Sequence, residues 1–134
     1  MNLKVIEKSA WILIKNNRVL STRSVGRDKF YFPGGKLEQG ESNEEALIRE
    51  IREELTVSVI PESISYLGIF EAQADDHTKG IVVKMHCYNA DFIGNLEAAA
   101  EIEEIAWLSY HEKSKSSEVD QLIFDWLLEN KLIR

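Results

Sequence analysis

The sequence is poor in cysteine and proline, and it has no long apolar run. Its 134 residues contain one cysteine and two prolines. A lone Cys87 cannot form an internal disulfide, and its apolar surroundings favour a packed core thiol. No segment approaches the roughly 20 apolar residues of a membrane-spanning helix, and the charged N-terminus does not resemble a signal peptide. We therefore expect a cytoplasmic protein that does not enter a membrane.

Positive charge is scarce overall and unevenly distributed. The formal net charge is −7, which argues against binding to duplex nucleic acid. Residues 1–36 nevertheless carry eight Lys or Arg and two Asp or Glu, which leaves a net charge of −13 on the other 98 residues. This asymmetry fits a site where carboxylates hold metal ions and basic side chains meet phosphates. Chance asymmetry on a solvated surface would look the same.

Apolar periodicity predicts strands, one helix, more strands and a second helix. Residues 10–14 and 18–23 predict a β-hairpin, and the aromatic segment at residues 29–32 predicts a short strand stopped by a Gly-Gly turn. Further strands are predicted at residues 57–60, 64–71, 81–92 and 105–108, and a packing helix at about 117–132. This order predicts one α+β domain over residues 1–134, with helices on both faces of a mixed sheet.

The first helix has the clearest signals. Ser42 is followed three residues later by Glu45, which is the capping-box pattern. Leu47, Ile51 and Leu55 recur at i, i+4 and i+8, so they form one apolar face. The helix is therefore predicted to begin after Ser42 and to bury that face against the sheet.

Three glutamates form a second stripe on the same helix. Glu50, Glu53 and Glu54 stand at i, i+3 and i+4, so they point to one side and repel one another. A fold keeps such a stripe when it is fully solvated or when a cation neutralises it. Magnesium, or manganese in its place, prefers carboxylate oxygens. A carbonyl from the preceding turn, Pro33–Lys36, could complete the metal shell.

The spacing of these residues resembles the Nudix box, G-x5-E-x7-R-E-U-x-E-E-x-G-U, where U is a bulky aliphatic residue. The match covers residues 35–57 and departs from the pattern at one specified position, where Thr56 replaces glycine. The matching residues are Gly35, Glu41, Arg49, Glu50, Ile51, Glu53, Glu54 and Val57. The resemblance implies a Nudix fold, an α/β/α sandwich with a mixed central sheet.

The resemblance also implies roles for the matching positions. The implied metal ligands for Mg²⁺, with Mn²⁺ as a possible substitute, are Gly35, Glu50, Glu53 and Glu54. Glu41 and Arg49 correspond to the pair that braces the loop onto the helix. Thr56 occupies the end of the helix, where the family's glycine relieves a left-handed conformation.

The implied reaction is metal-dependent hydrolysis of a pyrophosphate bond. Within the box, Glu53 is the first candidate for the general base, and Glu50 is a further catalytic candidate. An acid from a later loop is the alternative, and Glu101 is preferred there over Glu103 and Glu104. Solvated loop acids would give the same pattern.

Substrate contacts and partners are less constrained by the sequence. Arg23 and Lys36 are the candidates for binding phosphates, and Arg27 and Lys29 lie close to them in sequence. His77 belongs to a polar loop that could cover the cleft. The leading substrate is a nucleoside or deoxynucleoside triphosphate, giving a monophosphate and pyrophosphate. Alternatives are ADP-ribose, a dinucleoside polyphosphate, or a module that senses a nucleotide without cleaving it. A homodimer is compatible with the sequence.

Overall fold

The computed structural model describes residues 4–73 and 80–134, so the loop containing His77 lies outside the described residues. The strands within these ranges are β1 (Lys4–Trp11), β2 (Ile14–Lys15), β3 (Arg18–Ser24), β4 (Gly34–Lys36), β5 (Ser58–Val59), β6 (Ser65–Gln73), β7 (Ile81–Asn89), β8 (Phe92–Ile93) and β9 (Ile102–Leu108). The α-helices are α1 (Asn43–Leu55) and α2 (Glu118–Glu129), and short 3-10 helices cover Pro61–Ser63 and Tyr110–Lys115.

The central sheet contains four strands in the order β4-β1-β7-β6. Strands β1 and β7 are parallel, whereas β4 is antiparallel to β1 and β6 is antiparallel to β7. Two smaller antiparallel sheets pair β2-β3-β9 and β5-β8. The central sheet is therefore mixed, and the predicted α+β class is confirmed.

The two α-helices cover opposite faces of the central sheet, because neighbouring residues of a strand point to opposite sides. On β1, Trp11 belongs to the hydrophobic cluster that includes Leu47 and Ile51 of α1. Its neighbour Ala10 belongs to the cluster that includes Phe124 of α2. The layers are therefore helix, sheet and helix, as the sequence predicts.

Helix α1 is capped at both ends. The Ser42 hydroxyl accepts from the Glu45 N–H at 3.1 Å, and the Glu45 carboxylate accepts from the Ser42 N–H at 2.9 Å. This is the predicted capping box. Thr56 ends the helix in the left-handed region, with φ of 61°, and donates its N–H to the Arg52 carbonyl. The backbone therefore keeps a conformation that favours glycine, and the Thr56 hydroxyl adds a hydrogen bond to the Asn95 carbonyl.

Cys87, the one cysteine of the sequence, lies in the hydrophobic core. Cys87 is fully buried in the cluster on the α2 side, and burial raises the pKa of its thiol. This location agrees with its interpretation as a packed core residue. Among the residues that the structure describes, no helix has the length and apolar character needed to cross a membrane.

The predicted first hairpin is shorter than expected. The expected strand over residues 10–14 breaks after Trp11, and Ile14–Lys15 alone pairs with β3. Asn16 and Asn17 both have positive φ, which is the conformation that a two-residue hairpin turn needs. The prediction of one continuous strand is wrong because the residues before the break belong to the central sheet, where both faces are buried between helices.

The double glycine is a strand and not the predicted turn. Gly34–Lys36 is β4, and it pairs with β1. A Cβ on Gly34 would lie 1.9 Å from the Ser9 carbonyl oxygen, so glycine at this position permits close pairing of the two strands. The aromatic segment before it, predicted as a strand, forms isolated bridges at Phe30 and Tyr31 instead.

Candidate active site

A cavity of about 510 Å³ lies beside the C-terminal half of α1. Its walls come from α1, from all four strands of the central sheet, from β3 and from the start of α2. We call it the α1 cavity. Three carboxylates line it: Glu50 and Glu54 from α1, and Glu101 from the loop before β9. The fold therefore brings two box glutamates together with the acid predicted from the later loop.

Glu54 is the most enclosed of these carboxylates, with 7% of the residue exposed. The Gly34 N–H donates to its Oε1 at 3.1 Å. Burial raises the pKa of Glu54 to about 8; the Gly34 hydrogen bond opposes this shift, and the neighbouring carboxyls of Glu50 and Glu101 add to it. Without a cation, Glu54 therefore holds its proton at neutral pH.

Glu50 lies against a glycine that leaves room for its carboxylate. A Cβ on Gly35 would lie 2.5 Å from the Glu50 Cδ and within 2.8 Å of both its oxygens. Burial raises the pKa of Glu50, and the guanidinium of Arg49 opposes that shift. A side chain at position 35 would therefore force the Glu50 carboxylate out of its present position.

Glu53 occupies a different environment from the other two box glutamates. Its side chain is 54% exposed, and the Arg49 guanidinium is 3.4 Å from its Oε2. It is not among the residues that line the α1 cavity. The structure thus brings Glu50, Glu54 and Glu101 together and leaves Glu53 at the solvent side of the helix.

Arg49 is a brace between the helix and the loop before it. Its Nε and Nη2 donate to the two Glu41 oxygens at 2.6 and 2.9 Å, and Nη2 also donates to the Lys36 carbonyl at 3.0 Å. Its Nη1 donates to Glu50 Oε1 at 2.9 Å. The Arg49 hydrogen bonds lower the pKa of Glu41 to about 2. The pair expected from the motif is in direct contact, and it holds both Glu50 and the end of β4.

These side chains fit a divalent cation. Two carboxylates that are costly to ionise when buried lie in one cavity wall, and a bound cation would remove that cost. Magnesium is usually held by one or two carboxylates together with water and substrate oxygens. Within residues 4–73 and 80–134, no three acidic, histidine or cysteine side chains form a metal cage by themselves. A cation here would therefore also need backbone or substrate oxygens.

Basic and aromatic side chains line the rest of the cavity. Lys36, a predicted phosphate ligand, is among them, together with Lys8 and Arg27. Lys8 and Lys36 are direct cross-strand partners on β1 and β4. Sequence reasoning did not single out Lys8, because its position depends on the pairing of β1 with β4. Arg27 was noted only as a neighbour of the predicted ligands.

Arg23, the other predicted phosphate ligand, lies outside the lining of the α1 cavity. Its guanidinium pairs with Glu103 at 3.4 Å and Glu104 at 3.2 Å, and it donates to the Arg27 carbonyl at 3.0 Å. The hydrogen bond that Arg23 donates to Glu104 is the largest cause that raises the pKa of Arg23. Glu103 and Glu104, the competitors of Glu101, therefore face Arg23 instead of the cavity.

Comparison with protein families agrees with this geometry. The model of the NUDIX domain matches residues 6–127. The chain belongs to the Nudix family. Its class is therefore that of the Nudix hydrolases. Gly35, the Arg49–Glu41 brace and the three glutamates Glu50, Glu53 and Glu54 occupy the positions of the Nudix box.

Several Nudix relatives cover most of the chain. The CTP pyrophosphohydrolase of Escherichia coli K12 is 31% identical over 115 residues, which are 82% of this chain and 80% of the relative. The ADP-ribose pyrophosphatase of Methanocaldococcus jannaschii is 30% identical over 121 residues, which are 87% and 69%. The solution structure of the E. coli ORF135 protein has a TM-score of 0.76 at 26% identity, covering 96% of this chain and 92% of that one. The Nudix fold is confirmed, and the two named relatives act on different nucleotides.

The close approach of Gly35 to Glu50 yields a prediction that separates activity from stability. Gly35→Ala should lower kcat by about ten- to a hundredfold, because the added methyl displaces the Glu50 carboxylate. The midpoint of thermal unfolding should change little, because the flexible Glu50 side chain can move away from the added methyl. Steady-state kinetics and thermal unfolding measure the two effects.

Gly40→Ala is the matched control. Gly40 has φ of +82° and open space around its Cβ position. The same added methyl should therefore cost about 1 kcal/mol of unfolding free energy and leave kcat unchanged. Equal losses of kcat in both variants would contradict the role assigned to Gly35.

Proposed function

We propose that this Nudix hydrolase cleaves a nucleoside or deoxynucleoside triphosphate to a monophosphate and pyrophosphate, with Mg²⁺ as its cofactor and Mn²⁺ as a substitute. The observation that carries the proposal is the shared cavity of Glu50, Glu54 and Glu101, which Lys36 also lines. Carboxylates that hold a cation and ammonium groups that hold phosphates are the two parts that pyrophosphate hydrolysis requires.

Glu50 and Glu54 hold the divalent cation in this proposal, with a carbonyl of the Gly34–Gly35 segment as a further ligand. When bound, the cation supplies charge neutralisation at phosphate oxygens and a lower pKa for a coordinated water. Arg49 keeps the Glu50 carboxylate in place through its 2.9 Å hydrogen bond. Glu53, at the exposed side of α1, is a ligand for the same or a second cation.

Glu101 is the general base of the proposed reaction. It lines the cavity and interacts directly with Glu54, so it lies beside the proposed cation site. From there it accepts the proton of the attacking water. Glu53 is the alternative base from the motif, and its greater exposure makes it the second choice.

Lys36 and Arg27 bind phosphate oxygens of the substrate, since both reach the cavity wall. Tyr31, Phe32 and Met85 give the cavity an apolar and aromatic lining as well. Such a wall suits a nucleobase, which buries a flat apolar face. The substrate therefore lies with its phosphates toward the carboxylates of α1 and its base on these apolar side chains.

The E. coli relative named as a CTP pyrophosphohydrolase supports a triphosphate substrate. The archaeal relative named as an ADP-ribose pyrophosphatase keeps ADP-ribose as the alternative. A nucleotide sensor without catalysis is disfavoured, because every carboxylate of the box is present.

A substrate screen tests the proposal. Nucleoside triphosphates, oxidised nucleotides, ADP-ribose and dinucleoside polyphosphates are each incubated with Mg²⁺, with Mn²⁺ and with chelator. We expect a triphosphate to give monophosphate and pyrophosphate in both metals and nothing in chelator. If ADP-ribose alone is turned over, ADP-ribose replaces nucleoside triphosphates as the substrate. If folded protein turns over none of the compounds, the proposal is overturned.

A further inference from the structure

Two consecutive glutamates of β9 contact one guanidinium. Arg23 of β3 is 3.4 Å from the Glu103 carboxylate and donates to the Glu104 carboxylate at 3.2 Å. On a regular strand, neighbouring side chains point to opposite faces of the sheet. Both acids can reach the same guanidinium only if the strand is irregular between them.

The pairing of β3 with β9 contains that irregularity. Arg23 is opposite Glu104, but the next residue, Ser24, is opposite Ile102. Glu103 is therefore the extra residue of a β-bulge. A bulge re-aims the side chains beyond it, and bulges occur often beside active sites.

The bulge determines which residue before β9 lies opposite Val25. Beyond it, the Val25 N–H donates to the Glu101 carbonyl at 2.8 Å, Ile102 is buried and Glu101 lines the cavity. In a regular ladder, Val25 would lie opposite Ile102, so the extra residue at position 103 places the Glu101 backbone against Val25. The segment that carries Glu101 is therefore held to the end of β3, beside the cavity.

The same guanidinium also holds the turn that follows β3. Arg23 Nη1 donates to the Arg27 carbonyl at 3.0 Å, and the Arg27 N–H donates to the Ser24 carbonyl at 3.0 Å. Arg27 itself lines the cavity, whereas Arg23 does not. One side chain thus connects the strand that carries Glu101 with the turn that carries Arg27.

We propose that Arg23 is a positioning residue that stabilises the Glu103 bulge and thereby directs Glu101 and Arg27 into the α1 cavity. This inference rests on the proposed function for the roles of Glu101 and Arg27. It replaces direct phosphate binding, the role that the sequence suggested for Arg23. The fork geometry is essential, because three acceptors on two chain segments need the several N–H donors of a guanidinium.

Kinetics of four variants test the proposal with the triphosphate that turns over best. Arg23→Ala should lower kcat about thirtyfold and change KM by less than about threefold. Arg23→Lys should show a similar loss, because one ammonium cannot hold all three acceptors. Arg23→Ala in the Glu101→Gln background should cost little more than Glu101→Gln alone, since both changes remove the same function.

Arg18→Ala is the matched control, because Arg18 is an exposed arginine of the same strand that contacts Glu112. It should leave kcat and KM unchanged. Two results would overturn the positioning role in favour of a direct substrate contact. One is a raised KM with normal kcat in Arg23→Ala, and the other is a double variant whose loss of kcat equals the product of the two single losses.

Amide hydrogen exchange provides a readout that does not depend on turnover. In Arg23→Ala, the Val25 amide should exchange faster than in the wild type, and in Arg18→Ala it should not. Unchanged exchange at Val25 would overturn the inference. If the wild type cleaves no nucleotide, the proposed function fails while this measurement still tests the role of Arg23.

Discussion

Glu54→Gln is expected to lower kcat/KM by about a thousandfold while the protein remains folded. Glu54 is buried in the cavity wall and lies close to Glu50 and Glu101. Glutamine keeps its shape and its acceptor for the Gly34 N–H but removes the charge that would hold a cation. Loss of several kcal/mol of charge stabilisation in the transition state corresponds to about this factor. Steady-state rates of pyrophosphate release measure the effect.

The comparison variants for this prediction come from the same chain. Glu62→Gln makes the same chemical change at an exposed position in the short helix after β5, and it should leave the rate unchanged. Glu53→Gln, at the exposed side of α1, should cost less than Glu54→Gln. A Glu54→Gln variant with nearly wild-type kcat/KM would show that Glu54 is not part of the metal site.

The metal-free protein should be less stable at pH 8 than at pH 5. The pKa of Glu54 is about 8 in the fold and 4.5 in its ordinary state. Below pH 4.5 the carboxyl is protonated both folded and unfolded, so it imposes no penalty. As the pH rises through 4.5 to 8, the unfolded chain releases this proton and the fold retains it. The unfolding free energy should therefore fall by roughly 3 to 5 kcal/mol across this window.

Urea unfolding at several pH values, in the presence of chelator, measures how the unfolding free energy changes with pH. The unfolding free energy of Glu54→Gln should fall much less over the same range, because the strongly raised pKa of Glu54 is removed and the raised pKa of Glu50 remains. Saturating Mg²⁺ should restore the unfolding free energy of the wild type at pH 8. The reason is that a cation stabilises the charged carboxylate and binds the folded chain only. Equal slopes for the wild type and Glu54→Gln would contradict the burial of Glu54 as the cause.

Local patterns predicted the helices and the box well. The capping box and the i, i+4, i+8 spacing depend on residues close in sequence, so Ser42 and the Leu47 face could be placed without tertiary information. The contact of Arg49 with Glu41 was expected from the Nudix motif. These features could be predicted because the start signal and the apolar face of the helix are both encoded within the helix segment itself.

Features that depend on distant pairing could not be predicted in the same way. The Gly34–Gly35 segment has the composition of a turn, but it pairs with β1, and the close approach to Ser9 explains the glycine. The place of Lys8 in the cavity follows from that pairing. Arg23 has the charge of a phosphate ligand, and only the bulge in β9 reveals that two glutamates engage it.

A titration of the protein with Mn²⁺, followed by the electron paramagnetic resonance signal of free Mn²⁺, tests the metal site most directly. It needs no substrate and compares the wild type with Glu54→Gln and Glu62→Gln. The site built from Glu50 and Glu54 predicts saturable binding by the wild type, unchanged binding by Glu62→Gln and at least about tenfold weaker binding by Glu54→Gln. Wild-type affinity in Glu54→Gln would contradict the assignment of the metal site to the α1 cavity.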